Sequence, residues 1–399
     1  MRYGCSTTTL TTSQTHRVRI ALFTAAFTLL GCAPGTVPHR PGCVAGAPYI
    51  GPPFAPAFDR SAFPATRIDW TAALPAVVQA RLADVWEGGI VGTGATVASV
   101  TVARIADGAR VPGVWSARIG PREPQPFWWG SVGKMATASI IMQMEAEGAL
   151  SLDDTVERWF PDYPGAETLT LEHLLTHTGG VHSFDRDAAL RGRQDFVSPE
   201  RLIAASARRG LDFCPGTNWL YSNTGYVMLS RIVERVDGAP LSKVVARRVA
   251  APIGATTMLT LGPETDPGAL VAPVGRLEGA VQTFATTGGA GPVAGGADDM
   301  VRLLEAFATG RLAGINARDG AVARLVPMFS STASYGRGIM VIDVPGDGGT
   351  TRWIGHTGGS PDAKAVAVYD TRRRTYVGML LNTDVDAERL ALALLQALD

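Results

Sequence analysis

Strand-forming patterns occur in two groups, one on either side of a long helical stretch, so a sheet built from both requires the chain to return on itself. Residues 95–105 and 111–119 read as two strands around an Asp107-Gly108 turn. Four more follow late, at 338–344, 351–355, 363–369 and 375–381, before a last helix at 386–398. Between the groups the signal is helical: 131–148, 171–176, 199–209 behind a Ser198 cap, 223–237 and 298–307. Asp69 is expected to cap an earlier helix whose buried stripe is Leu74, Val78, Leu82 and Val85. The predicted class is α/β, an antiparallel sheet flanked by helices plus an inserted, mainly helical region. The sheet region is expected at about 67–130 and 335–399, the helical region at about 131–334. A cleft belongs where the two meet.

Lysine is rare here, and its placement is informative. Only Lys134, Lys243 and Lys364 stand against 33 arginines, and Lys134 lies in Ser131-Val132-Gly133-Lys134. An amine can lose its proton when buried, whereas a guanidinium stays charged, which makes Lys134 a candidate base. If the helix begins near Ser131, the serine and the lysine share a face three positions apart. A hydroxyl beside such an amine is an activated nucleophile, and the Ser131 N–H is one of the free donors of a first helical turn. The plainer alternative is a serine cap followed by a surface lysine.

Two other segments carry polar groups suited to the same chemistry. Tyr221-Ser222-Asn223 precedes an apolar helical run, and residues two apart project from one side of an extended loop. Tyr221 can relay a proton if a nearby ammonium depresses its pKa, and Asn223 offers both a donor and an acceptor. An aromatic plug with an asparagine cap is the alternative. Trp353-Ile354-Gly355-His356-Thr357-Gly358-Gly359 reads as the end of a strand that runs close to something. Its glycines leave room for a substrate backbone, while His356 and Thr357 are suited to binding a carboxylate or assisting proton traffic.

Together these segments resemble the serine hydrolases related to class C β-lactamases and D-alanyl-D-alanine carboxypeptidases. The three signatures of that group, Ser-x-x-Lys, Tyr-x-Asn and Lys/His-Thr-Gly, are matched in order by Ser131/Lys134, Tyr221/Asn223 and His356/Thr357/Gly358. Flanking runs are similar too, among them His173-Leu174-Leu175-Thr176-His177-Thr178-Gly179-Gly180, and the likeness spans roughly residues 69 to 397. The resemblance implies a β-lactamase/transpeptidase-like fold and a serine acyl hydrolase working through an acyl-enzyme on a D-alanyl-D-alanine-type peptide or a carboxylic ester. It implies catalytic roles for Ser131, Lys134 and Tyr221, and substrate orientation by Asn223, His356 and Thr357. The implied oxyanion hole is the backbone N–H groups of Ser131 and Gly359. Efficient β-lactam hydrolysis and a non-catalytic scaffold are the competing expectations. One departure is Gly133, where many relatives carry a second serine.

The start of the chain bears on the compartment. Arg17 and Arg19 precede an apolar stretch at 20–30, long enough for a signal-peptide core and too short to span a bilayer as a helix. Leu29-Leu30-Gly31-Cys32 then resembles a lipoprotein processing box, with Cys32 as the lipid-bearing residue. An ordinary secretory signal and a chance alanine-rich leader are the alternatives. The expected organisation is a signal peptide at 1–31, a Pro/Gly-rich tether at 32–66 and the hydrolase domain at 67–399. Lipid on Cys32 would anchor the protein to a membrane on the extracytoplasmic side, in the periplasm if the cell has an outer membrane. With Cys5 removed and Cys32 lipidated, Cys43 and Cys214 remain, either as a disulfide or as two thiols.

Other chemistries find less support. His173 and His177 are four apart with no evident third metal ligand, so local packing is the expectation. Phe127-Trp128-Trp129 is read as filler of the joint between sheet and helix, and Arg372-Arg373-Arg374 as a solvated hairpin turn. Balanced charge, 36 basic against 36 acidic residues, gives no support to a nucleic-acid partner. The chain carries no glycine-rich phosphate loop or dinucleotide motif, and no cofactor is expected.

Overall fold

Among the described residues, eleven strands form two sheets. They are β1 (Ala98–Arg104), β2 (Gly113–Ile119), β3 (Phe127–Trp128), β4 (Leu259–Thr260), β5 (Val293–Gly295) and β6 (Val326–Pro327). The remainder are β7 (Ala333–Tyr335), β8 (Met340–Val344), β9 (Thr351–Ser360), β10 (Ala363–Asp370) and β11 (Thr375–Leu381). The computed structural model describes residues 43–399 apart from 109, 191–192, 194, 273, 275–287, 329, 331, 346–348 and 361–362. The larger sheet has the order β2-β1-β11-β10-β9-β8-β7-β6, and its pairs are antiparallel. Both ends of the chain thus share one sheet, β1 lying against β11, as the two groups of strand patterns require.

Period-two alternation divides the side chains between two cores. Val100 pairs with Met379, which pairs in turn with Val366, and all three face a core completed by the helices Ala76–Ile90 and Ala387–Gln396. On the same strands, Ala365, Ala367, Tyr376 and Leu380 alternate with these and face the opposite core, filled by the helices Lys134–Ala146 and Ala297–Ala308. The expected helix at 199–209 is found as Pro199–Arg209, where the Ser198 hydroxyl accepts the Arg201 N–H. Asp69, however, caps no helix. Its carboxylate accepts from Thr71 in a local turn, and Pro75, in an extended conformation at ψ 142, delays the helix to Ala76.

Three further findings bear on the sequence reading. The small sheet β3-β5-β4 was not expected; it ties the segment entering Ser131 to residues 293–295. The tryptophans there do fill the joint: Trp129 is fully buried with its indole N–H on the Gly295 carbonyl. The turn between β10 and β11 is a hairpin, but Arg373 within it is buried and bonded to Asp370 and Asp399 rather than solvated.

Much of the expected tether lies against the body. Cys43 is bonded to Cys214, with Cα atoms 5.4 Å apart, and the Ile50 N–H donates to the Thr217 carbonyl at 2.7 Å. Phe58 and Phe63 are buried, their ring centroids 5.0 Å apart. The proline-rich segment forms no more than the short 3₁₀ turn Arg60–Ala62, yet its aromatic side chains still gain by leaving water. Residues 1–42, including Cys32 and the leader, lie outside the described residues. Among the described residues no helix is long and apolar enough to cross a membrane.

Candidate active site

Ser131 sits in a 3₁₀ turn, Gly130–Gly133, that leads directly into the helix Lys134–Ala146. Residues i and i+3 eclipse in such a turn, which places serine and lysine in line more closely than an α-helix would. Lys134 Nζ is 2.9 Å from Ser131 Oγ, 2.7 Å from Asn223 Oδ1 and 2.7 Å from the Ala290 carbonyl oxygen. The last two partners can only accept. A neutral amine that donates to both therefore turns its lone pair toward Ser131, the one partner whose hydroxyl can donate in return. Lys134 is fully buried, and burial holds its pKa well below the ordinary lysine range, with the nearby Asp185 carboxylate acting in the opposite direction.

Tyr221 and Asn223 reach the same amine from the entry to another helix. Ser222 caps Asn223–Asp237 by accepting the Gly225 N–H, so Asn223 opens the helix with its amide turned to Lys134. The Tyr221 ring centroid lies 4.9 Å from Lys134 Nζ. Its hydroxyl approaches Ser131 without completing a well-formed hydrogen bond. Burial pushes the Tyr221 pKa well above its ordinary value, and Ser131 offsets this only in part. The condition set by the sequence, a phenol pKa depressed by an ammonium, is thus not met, because desolvation of the phenolate dominates; Tyr221 is a protonated phenol.

β9 runs through to Ser360, so His356, Thr357, Gly358 and Gly359 lie within the strand rather than beyond it. His356 faces the inner core, opposite Ala367. Its Nδ1 lies 2.6 Å from the Thr357 carbonyl, which can only accept, so Nδ1 carries the proton and Nε2 accepts from the Tyr335 hydroxyl at 3.0 Å. Burial and Lys134 lower its pKa to about 3. A neutral ring with both nitrogens engaged differs from the partly charged carboxylate ligand expected from sequence. Thr357 pairs with Val366, which faces the other core, and its hydroxyl contacts the Met340 sulfur at 4.0 Å. Adjacent strand residues point to opposite faces, and the structure accordingly separates these two side chains.

Glycine sets how closely β9 meets the serine turn. A Cβ on Gly358 would lie 2.6 Å from the Ser131 amide nitrogen, and one on Gly130, whose φ is +52, would lie 2.4 Å from that of Gly359. Only glycine permits this approach, which brings the Ser131 and Gly359 amides to one corner.

Several groups that meet here were not assigned to this site from the sequence. Asp185 is buried, accepts from the Ser183 hydroxyl and interacts electrostatically with Lys134; Ser183 in turn accepts the Asn223 N–H at 2.9 Å. Tyr335 bonds His356, and the His177 ring packs 4.1 Å from that of Tyr221. His173 instead completes a capping box with Thr170. Nothing in the spacing of Ser183 and Asp185 marks them in advance, since they reach Lys134 only through tertiary packing. As a unit the site brings together a serine hydroxyl, a buried amine, a phenol and two neighbouring backbone amides, groups that acyl transfer can use.

Comparison with known proteins agrees with this geometry. A family model described as Beta-lactamase matches residues 60–399. Esterase EstB of Burkholderia gladioli is 32% identical over 229 residues, covering 47% of this chain and 58% of that protein. Penicillin-binding protein 4 of Amycolatopsis lactamdurans is 35% identical over 144 residues, 35% of this chain and 37% of that protein. The chain thus matches less than two thirds of the length of these curated relatives. A D-stereospecific amidohydrolase from Streptomyces sp. superposes with a TM-score of 0.65 at 25% identity, over 80% of this chain and 97% of that one. The chain belongs to the beta-lactamase family, within the serine-hydrolase superfamily that also includes penicillin-binding proteins and related esterases.

Proposed function

We propose that this member of the beta-lactamase family is a serine acyl hydrolase that forms a covalent acyl-enzyme at Ser131. The observation that carries the reading is the buried Lys134 amine, with two obligate acceptors and Ser131 as its third partner. Ser131 Oγ attacks the substrate carbonyl carbon as its proton passes to Lys134 Nζ, and the oxyanion is received by the Ser131 and Gly359 N–H groups. Tyr221 protonates the leaving group and takes a proton back from Lys134. Water then attacks the acyl-serine ester and releases the acid, while Asn223 holds Lys134 and orients the substrate.

The neutral His356 favours a carboxylic ester over a substrate anchored by its own carboxylate, such as a D-alanyl-D-alanine peptide or a β-lactam. The esterase among the relatives supports the same choice. The domain is proposed to work outside the cytoplasm, where the Cys43–Cys214 bond is at home, with Cys32 as its lipid anchor.

Two experiments test the proposal. A fluorophosphonate probe should label wild type once, at Ser131, and leave Ser131→Ala unlabelled; a folded wild type that resists acylating probes would point to a non-catalytic scaffold. Steady-state kinetics on short p-nitrophenyl esters and on a D-Ala-D-Ala peptide, side by side, should favour the ester.

A further inference from the structure

His177 grips the chain on both sides of Tyr221. Its backbone carbonyl accepts the Leu220 N–H at 3.1 Å, and its ring Nδ1 accepts the Ser222 N–H at 3.2 Å. Between those bonds the imidazole lies against the Tyr221 ring, centroids 4.1 Å apart. Tyr335 packs on the same imidazole at 4.5 Å and edge-on to Tyr221 at 5.9 Å, so the tyrosine loop and the support of His356 meet on one ring. The backbone of His177 has φ +61, a left-handed conformation that only a few per cent of non-glycine residues adopt, asparagine, aspartate and histidine most readily. Such a conformation persists where its surroundings require it, and here it presents carbonyl and ring to the same loop.

The chemistry of the clamp is specific. A backbone N–H can only donate, so Nδ1 must be unprotonated and the proton must sit on Nε2, which is buried without a hydrogen-bond partner. Filler would need only the shape of the ring, whereas a clamp needs the acceptor at Nδ1. We infer that His177 is a positioning residue for the acyl transfer, fixing the backbone on either side of Tyr221 so that its phenol stays against Ser131 and Lys134. This role rests on the serine-hydrolase reading above.

Two variants and one measurement on wild type test it. His177→Asn keeps an acceptor near the place of Nδ1 and tolerates a positive φ, while His177→Gly accepts the same backbone and supplies no acceptor. Displacing a catalytic group by about 1 Å can cost ~10²-fold, so pre-steady-state acylation of His177→Gly by p-nitrophenyl acetate should slow at least ~10-fold with KM little changed. His177→Asn should stay within roughly threefold of wild type, both variants being checked by thermal melts. Wild-type acylation by His177→Gly, or a folded His177→Asn as slow as His177→Gly, would overturn the inference. If neither variant folds, the ¹⁵N NMR tautomer of His177 in wild type decides: Nε2–H near neutral pH is expected, and Nδ1–H or an imidazolium contradicts the clamp. A wild type that never acylates at Ser131 defeats the hydrolase reading and this role with it; normal wild type with unaffected variants defeats this role alone.

Discussion

Lys134 and Asn223 stand 89 positions apart in sequence and 2.7 Å apart at Nζ and Oδ1. An amide oxygen accepts and never donates, so this contact fixes one lysine N–H and, with the Ala290 carbonyl, a second. The protonation of Lys134 then decides what Ser131 encounters: an ammonium that competes for its lone pairs, or an amine that takes its proton.

Acylation should therefore require neutral Lys134 and fall away as pH drops through its depressed pKa. Asp185 opposes the depression, while Tyr221, Tyr226 and the neutral His177 and His356 are the other titratable groups around the amine. Removing the carboxylate charge in Asp185→Asn lowers the lysine pKa further, so the acidic limb of the kcat/KM profile should move to lower pH. A limb that stays in place or moves upward would show that Asp185 does not tune the base.

β-Lactam turnover should be poor. His356 sits where the β-lactamases proper carry a lysine, and its ring is neutral, with a pKa near 3, and hydrogen-bonded at both nitrogens. Without a fixed cation there, the β-lactam carboxylate lacks its strong anchor. Penicillin and cephalosporin hydrolysis, followed by ultraviolet absorbance, tests this directly; efficiency at the level of a dedicated resistance enzyme would refute it.

The Cys43–Cys214 bond should contribute measurably to stability, because it closes a loop across a sequence separation of 171 and holds the N-terminal arm on the body. Disulfides typically stabilise by about 2–4 kcal/mol, so Cys43→Ser or reduction should lower Tm clearly. Identical melting curves with and without reductant, in protein shown by mass to carry the bond, would contradict this.

What sequence alone conveyed depended on whether residues meet through local geometry or through tertiary packing. Ser131 and Lys134 were legible because three positions separate them on one helical turn, and the glycines of β9 because a close approach demands them. His356 and Thr357 were grouped by their motif, although the period of a strand already implied that their side chains point to opposite faces. Proton relay by Tyr221 was made conditional on a pKa depressed by a neighbouring ammonium, whereas burial, which sequence does not disclose, raises that pKa. Asp185 and His177 left no local signal of their contacts with this site. Those contacts come from loops brought together only by the fold: Asp185 accepts from Ser183, which accepts the Asn223 N–H, and His177 accepts the Ser222 N–H beside Tyr221.

The central claim is that Lys134 moves the Ser131 proton, and Lys134→Arg tests it most directly. Arginine keeps the positive charge and approximate length but does not give up a proton near neutral pH. Pre-steady-state acylation by an activated ester, with a melting curve to establish that the variant is folded, should show burst formation slowed by at least roughly 10². Near-wild-type acylation by folded Lys134→Arg would contradict the account and leave Lys134 as an electrostatic or structural residue.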